Sequence, residues 1–221
     1  EELIAIAERE LAWCRARQSE TAAEMGLPGW PAALEAVKKM HVAPGEQPRL
    51  ILVLAQEAVD FLEQRELVTI PQLCKDSWRM EMMSPERQKF TPYFTGGEVI
   101  SIAFPTAEMT HGDKEMSLRG NNVPFCRATV HHELIPGHHL QGYMSDRYNT
   151  QRGLFSTPFL GEGWALWWEI HIWDLGFQQS ATDRAGALFW RSHRCARIIF
   201  SLKFHLGERT PQQCVDFLVS E

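Results

Sequence analysis

Four histidines and a glutamate crowd into nine residues: His131, His132, Glu133, His138 and His139. Imidazole nitrogen and carboxylate oxygen are zinc donors. A helix bearing His-Glu-x-x-His turns both imidazoles toward one metal, and the Glu beside the first His reaches the metal's water. His132-Glu133 supplies the first half of that pattern, but Pro136 stands where the second histidine belongs. On a straight helix, six residues would turn His138 away from His132 by about 120°. Pro136 removes a helix hydrogen bond and Gly137 admits unusual dihedrals, so the segment predicts a kink or bulge that returns His138 to the metal. His139 has the better azimuth but stands about 10 Å further along an ideal helix. The spacing favours His138 and leaves the choice open, with His139 otherwise a partner that orients a ligand.

A third ligand should come from another helix. Glu162 and Glu169 lie seven apart in Glu-Gly-Trp-Ala-Leu-Trp-Trp-Glu, on one helical face. Carboxylates in so aromatic a helix are costly to bury without a cation. Glu162, at the helix start, is the candidate ligand, and Glu169 a partner that orients a ligand histidine. Taken singly, each of these residues is an ordinary polar side chain; their density argues for a metal. Trp164, Trp167, Trp168 and Trp173 read as core. Arg194, Arg197, Ser201 and His205 are spaced three, four and four apart and share a face of a later helix. That face is either a solvated surface or a clamp, with Arg194 and Arg197 gripping a peptide carboxylate and His205 donating to a tetrahedral intermediate.

The elements that must position these groups are mostly helical. Residues 2–24, 31–41 and 48–65 read as helices, with Gly26-Leu27-Pro28-Gly29 as a break. From 67 to 105 the texture turns to strands: Val68-Thr69-Ile70 is β-prone, Trp78 to Met83 alternates, and Glu98–Phe104 is the best strand. Residues 106–122 read as a polar loop, then 123–148, 160–174 and 180–206 as helices. A last helix starts with Thr210 as N-cap and Pro211 at the first position. The expected architecture is mainly α, more than half helix with a small β element, divided as an N-terminal helical segment (1–66) and a catalytic region (67–221).

Composition narrows the function classes. A chain of 221 residues with 44% hydrophobic and 23% charged residues builds a real core. No apolar run approaches the roughly 20 residues of a membrane span. A net charge of −6 without a basic stripe argues against a nucleic-acid partner. Cys14, Cys74, Cys126, Cys195 and Cys214 lie too far apart for a Cys-x-x-Cys metal site, though two bridges and a free thiol would be compatible with their number. A helical di-iron oxygenase is a rival reading, but its paired Glu-x-x-His marks are missing. A non-catalytic binding module on the same fold is a second rival.

The block His132–Gln141 (HELIPGHHLQ) resembles the HExxPGHHLQ signature of the domain of unknown function family 885. Glu162–Glu169 (EGWALWWE) resembles its EGWALYxE block, and Arg194–His205 more loosely its RAxRLVVDxGLH block, with order and spacing in agreement. The resemblance covers about 67–221 well. That family is similar to the gluzincins around thimet oligopeptidase and carboxypeptidase Taq, whose motif reads HEFGH with a Glu ligand some two dozen residues on. Matching the shared Gly-His pair to Gly137-His138 implies His132, His138 and Glu162 as zinc ligands and Glu133 as general base. The resemblance further implies catalytic roles for His205 and Arg197, hydrolysis of short peptides, and a chain that is part of a longer protein. Ser201 stands where the family block has Asp, which leaves any role of that acid without a residue here. The strand at Glu98–Phe104, through Ile100 and Ile102, would take a substrate backbone as an added strand.

Overall fold

The computed structural model describes residues 1–221. Helix accounts for 67% of them, above the half expected from the sequence. Eleven helices run in order: α1 (Glu2–Glu24), α2 (Trp30–Lys38), α3 (Gln47–Gln64), α4 (Gln72–Ser77), α5 (Pro85–Gln88), α6 (His111–Gly120), α7 (Val123–Glu133), α8 (His138–Tyr148), α9 (Pro158–Asp174), α10 (Ala181–His205) and α11 (Pro211–Ser220). Two strands, β1 (Arg79–Met82) and β2 (Val99–Ile102), pair in parallel with Arg79 opposite Val99.

Side-chain caps set many of the helix starts. Asn122 accepts from the Phe125 N–H at the start of α7, and Thr157 from the Leu160 N–H at α9. Ser180 with Asp183 and Thr210 with Gln213 form reciprocal capping boxes at α10 and α11. Each such cap satisfies amide donors that the first turn leaves orphaned. Two spans depart from the sequence reading at this level. Residues expected as a polar loop contain α6, which starts where the Thr110 hydroxyl accepts from the Asp113 N–H. Its sequence is mostly polar, with Met116 and Leu118 alone apolar, so hydrophobic periodicity gave no signal. The β-prone run Val68-Thr69-Ile70 forms no strand and leads into α4.

Helix α7, which carries His132 and Glu133, packs against α3, α9 and α10. On one side Cys126, Val130 and Leu134 meet Ile51 and Leu54 of α3 and Ile100 and Ile102 of β2. On another, α3 residues Val59, Phe61 and Leu62 meet Ile135, Leu140 and Tyr143 around α8 and Trp168 and Ile172 of α9. Residues 1–66 therefore share their cores with 67–221, and α1 adds Ala7 and Leu11 against Cys195 and Ile199 of α10. Fully burying each aliphatic side chain stabilises by roughly 1.5–3 kcal/mol. The α7 neighbourhood is thus among the best-held parts of the chain. All five cysteines are free thiols and buried. No helix is long and apolar enough to cross a membrane.

The strand expectation needs correction at the side chains. Ile100 is 0% and Ile102 2% exposed, packed in the core beneath α7. On the edge of β2 away from β1, Ser101 exchanges main-chain hydrogen bonds with Thr95 at 2.8 and 3.1 Å. Ile100 and Ile102 hold the sheet to the helices, and Thr95 covers the edge that an added strand would use.

Helices α7 and α10 meet where Gly186 faces Pro124. A Cβ at 186 would lie 2.5 Å from the carbonyl carbon and 2.9 Å from the Cβ of Pro124. Gly186→Ala should therefore lower the unfolding free energy by about 1–3 kcal/mol, as overpacked cores do, measured by urea denaturation.

Candidate metal centre

Helix α7 ends at Glu133 and α8 begins at His138, so the expected kink is a full break of four residues. Two features fold it tightly. The Gly137 N–H donates to the His131 carbonyl at 2.9 Å. A Cβ at 137 would overlap the His132 carbonyl oxygen and lie 2.7 Å from that of His131, so only glycine permits this approach. The Ile135–Pro136 peptide is cis. Trp164 Nε1–H donates to the Pro136 carbonyl at 2.7 Å and Gln141 Nε2–H to the Leu160 carbonyl at 2.8 Å. These bonds fix α9 to the break and to the first turn of α8.

The break brings His138 to His132. Their rings stand 4.7 Å apart between centroids and nearly perpendicular, at 88°. Glu162 Oε2 lies 3.6 Å from His132 Nε2 and 3.7 Å from His138 Nε2. One donor atom from each of the three falls within 4.8 Å of the others. Ligand atoms of a tetrahedral zinc, each about 2.0–2.1 Å from the ion, stand about 3.3 Å apart. A small inward adjustment would therefore suffice. Two imidazoles and a carboxylate with a fourth position open form a catalytic zinc set. By chemistry and spacing the residues fit the ion.

His139 goes elsewhere. It is buried, and its Nε2 meets the Cys74 carbonyl at 2.8 Å, tying α8 to α4. It neither joins the cluster nor touches a member of it, so both the ligand role left open for it and a ligand-orienting role fall away. A side chain one residue on points about 100° around the helix.

Behind His132 stands Glu169. Its Oε1 lies 2.5 Å from His132 Nδ1 and accepts from Arg194 Nη2 at 2.7 Å. Burial works against a charge on Glu169, but Arg194 and His132 overcome it and hold the carboxyl below its usual range. A carboxylate at Nδ1 keeps the proton there and turns the Nε2 lone pair toward Glu162 and His138. Burial also disfavours a proton on His132, yet Glu162 and Glu169 push it up to about 9. The cluster thus attracts positive charge.

Glu133 follows His132 directly. Its Oε2 accepts from the Gly96 N–H at 2.7 Å. Burial pushes its carboxyl up, opposed by His132 and by that N–H. In the sequence, Thr95-Gly96-Gly97 is a turn signal ahead of the strand at Glu98–Phe104 and nothing more. Nothing in the sequence places it against a residue 37 positions away.

Arg197, one turn beyond Arg194, is exposed and pairs with no carboxylate, in contrast to Arg194. Glu162 is held below its usual range by His132 beside it, with a smaller contribution from Arg197. The arginine face is split: Arg194 is committed to Glu169 and Arg197 is free. Ser201 continues that face, and His205 sits exposed in the last turn of α10, in a groove with Leu3 and Ile4 of α1. Eight residues carry His205 about 12 Å along the helix beyond Arg197, outside the cluster. Its expected donation to a reaction intermediate has no geometric support in this chain.

A family model described as "Bacterial protein of unknown function (DUF885)" matches residues 1–221. No curated protein matches the chain. Among solved structures, a candidate lipoprotein of unknown function from Shewanella oneidensis is similar with a TM-score of 0.74 and 16% identity, over 92% of this chain and 40% of that one. A candidate lipoprotein from Colwellia psychrerythraea gives a TM-score of 0.76 and 16% identity, over 99% of this chain and 39% of that one. The likeness is one of fold. The chain spans about two-fifths of the length of these structures.

Two substitutions separate the histidines and their support. His138→Ala should abolish stoichiometric zinc binding, whereas His139→Ala should lower stability and retain one zinc per chain, as measured by mass spectrometry of the metal. Glu169→Gln should weaken zinc binding about 10–100-fold in chelator competition, the usual cost of losing a ligand's orienting partner.

Proposed function

The chain belongs to the DUF885 family over its whole length, and from the geometry of its site we propose that it carries the catalytic centre of a zinc-dependent peptidase. The observation that carries this reading is the convergence of His132, His138 and Glu162 on one point, with Glu133 next to His132 in the chain and its carboxylate held by the Gly96 N–H. The resemblance of the break segment to the gluzincin motif supports it. So does the position of Glu162 on a separate helix, as in that group.

A zinc ion in this site would act as a Lewis acid, polarising a scissile carbonyl and lowering the pKa of a water to about 7. The chain's own residues do the rest. Glu133 takes the proton of the attacking water and returns it to the leaving amine nitrogen. Burial raises its carboxyl above the usual range, the direction that favours giving the proton back to the leaving amine. Glu169 holds His132 in the tautomer that presents Nε2. Arg197, exposed and one turn from the ion-paired Arg194, would receive a carboxylate of a short peptide substrate.

The test is a set of substitutions in the full-length protein. Glu133→Gln should keep one zinc per chain and lower kcat for a short quenched-fluorescence peptide by about 10²–10⁴-fold, with little change in KM. His132→Ala and Glu162→Ala should lose the zinc. Full activity in Glu133→Gln, or zinc loss from it equal to that of His132→Ala, would contradict the mechanism.

A further inference from the structure

We infer that Gly96 is a positioning residue for Glu133, holding the base through its main-chain N–H and through its lack of a side chain. The inference rests on the peptidase reading, because it concerns how the base of that reaction is held.

The residues around Gly96 form a short strip laid along the C-terminal end of α7. Its Gly96 N–H donates to Glu133 Oε2 at 2.7 Å, and the next N–H, of Gly97, donates to the Glu133 carbonyl at 3.1 Å. Glu133 is therefore gripped at its side chain and its main chain by consecutive amides. The strip itself is anchored. Thr95 exchanges two main-chain hydrogen bonds with Ser101 of β2. Arg87 spans the same pair, donating to Ser101 Oγ at 3.2 Å and to Thr95 Oγ1 at 3.0 Å. Strand β2 is fixed in turn by Ile100 and Ile102 in the core.

Such closeness needs glycine. A Cβ at 96 would overlap the Cβ of Glu133 and lie 2.6 Å from its carbonyl oxygen and 2.7 Å from its Cα. These are backbone atoms of a helix end held on several sides, so they have little room to yield. A glutamate at the last position of a helix otherwise has several rotamers open to it. One amide directed at Oε2 selects among them, and Oε1 is left to exchange a proton. Gly96 never needs to touch substrate to matter, because a displacement of about 1 Å in a reacting group can cost 10²-fold in rate.

A double-mutant cycle separates positioning from a merely structural role. In the zinc-loaded full-length protein, Gly96→Ala should lower kcat for a short quenched-fluorescence peptide by about 100-fold. KM should change little and zinc should stay at one per chain. In a Glu133→Gln background the same change should cost less than about twofold more, because Gly96 acts only through Glu133. Equal losses in both backgrounds, or wild-type kcat in Gly96→Ala, would overturn the inference. A second measurement is independent of how Gly96→Ala folds. Glu133→Ala should speed hydrogen exchange at the Gly96 amide and leave the Thr95 amide, bonded to Ser101, protected. An unchanged Gly96 amide would also overturn the inference. Full activity of Glu133→Gln would instead overturn the peptidase reading, whatever the exchange experiment shows.

Discussion

The site depends on one constraint: two helices must stop and restart within four residues so that imidazoles six apart in sequence can face each other. Leu134 to Gly137 meets it by burying Leu134 and Ile135 in two different cores, one built on the first half of α3 and the other on its second half. Gly137 meanwhile lets the chain close against the backbone of His131 and His132. The apolar residues of the break anchor it, and the glycine permits the approach. Trp164 then locks the turn from α9, so the helix that supplies Glu162 is registered on the same turn that delivers His138.

Charge is layered around that turn. Glu162 at the front is the most exposed of the three candidate ligands, its side chain 69% accessible, whereas His132 is nearly enclosed. Behind His132, Glu169 is buried and would be costly there alone; Arg194 offsets that cost with a direct hydrogen bond. Each buried charge in the chain from Arg194 through Glu169 to His132 thus has a partner. Glu133 stands apart from this chain, held by main-chain amides and paired with no Lys or Arg side chain. That arrangement suits a group that must gain and lose a proton, because a direct Lys or Arg pair would hold it ionised.

Much of this was legible in the sequence, for identifiable reasons. Residue types and spacing named His132, Glu133, His138, Glu162 and Glu169, and Pro136-Gly137 announced a change of path. Long amphipathic helices and capped starts such as Thr210-Pro211 were readable because their signals are local. What was hidden depends on packing. The choice between His138 and His139 required the fold of the break, which sends His139 to the Cys74 carbonyl. The inward direction of Ile100 and Ile102 depends on which face of β2 meets α7. Gly96 read only as part of a turn, because its partner is distant in sequence and joined to it by backbone geometry. Helix α6 was missed because its stability comes from its cap and its neighbours, not from an apolar stripe.

The central claim is that His132, His138 and Glu162 hold one metal ion. Anomalous diffraction at the zinc edge, on crystals of zinc-supplemented protein, tests it most directly. The account predicts a single strong peak about 2.0–2.2 Å from His132 Nε2, His138 Nε2 and a carboxylate oxygen of Glu162, with the Glu133 carboxylate outside bonding distance. A peak ligated by His139, a peak bound directly by Glu133, or no peak at this cluster would contradict it.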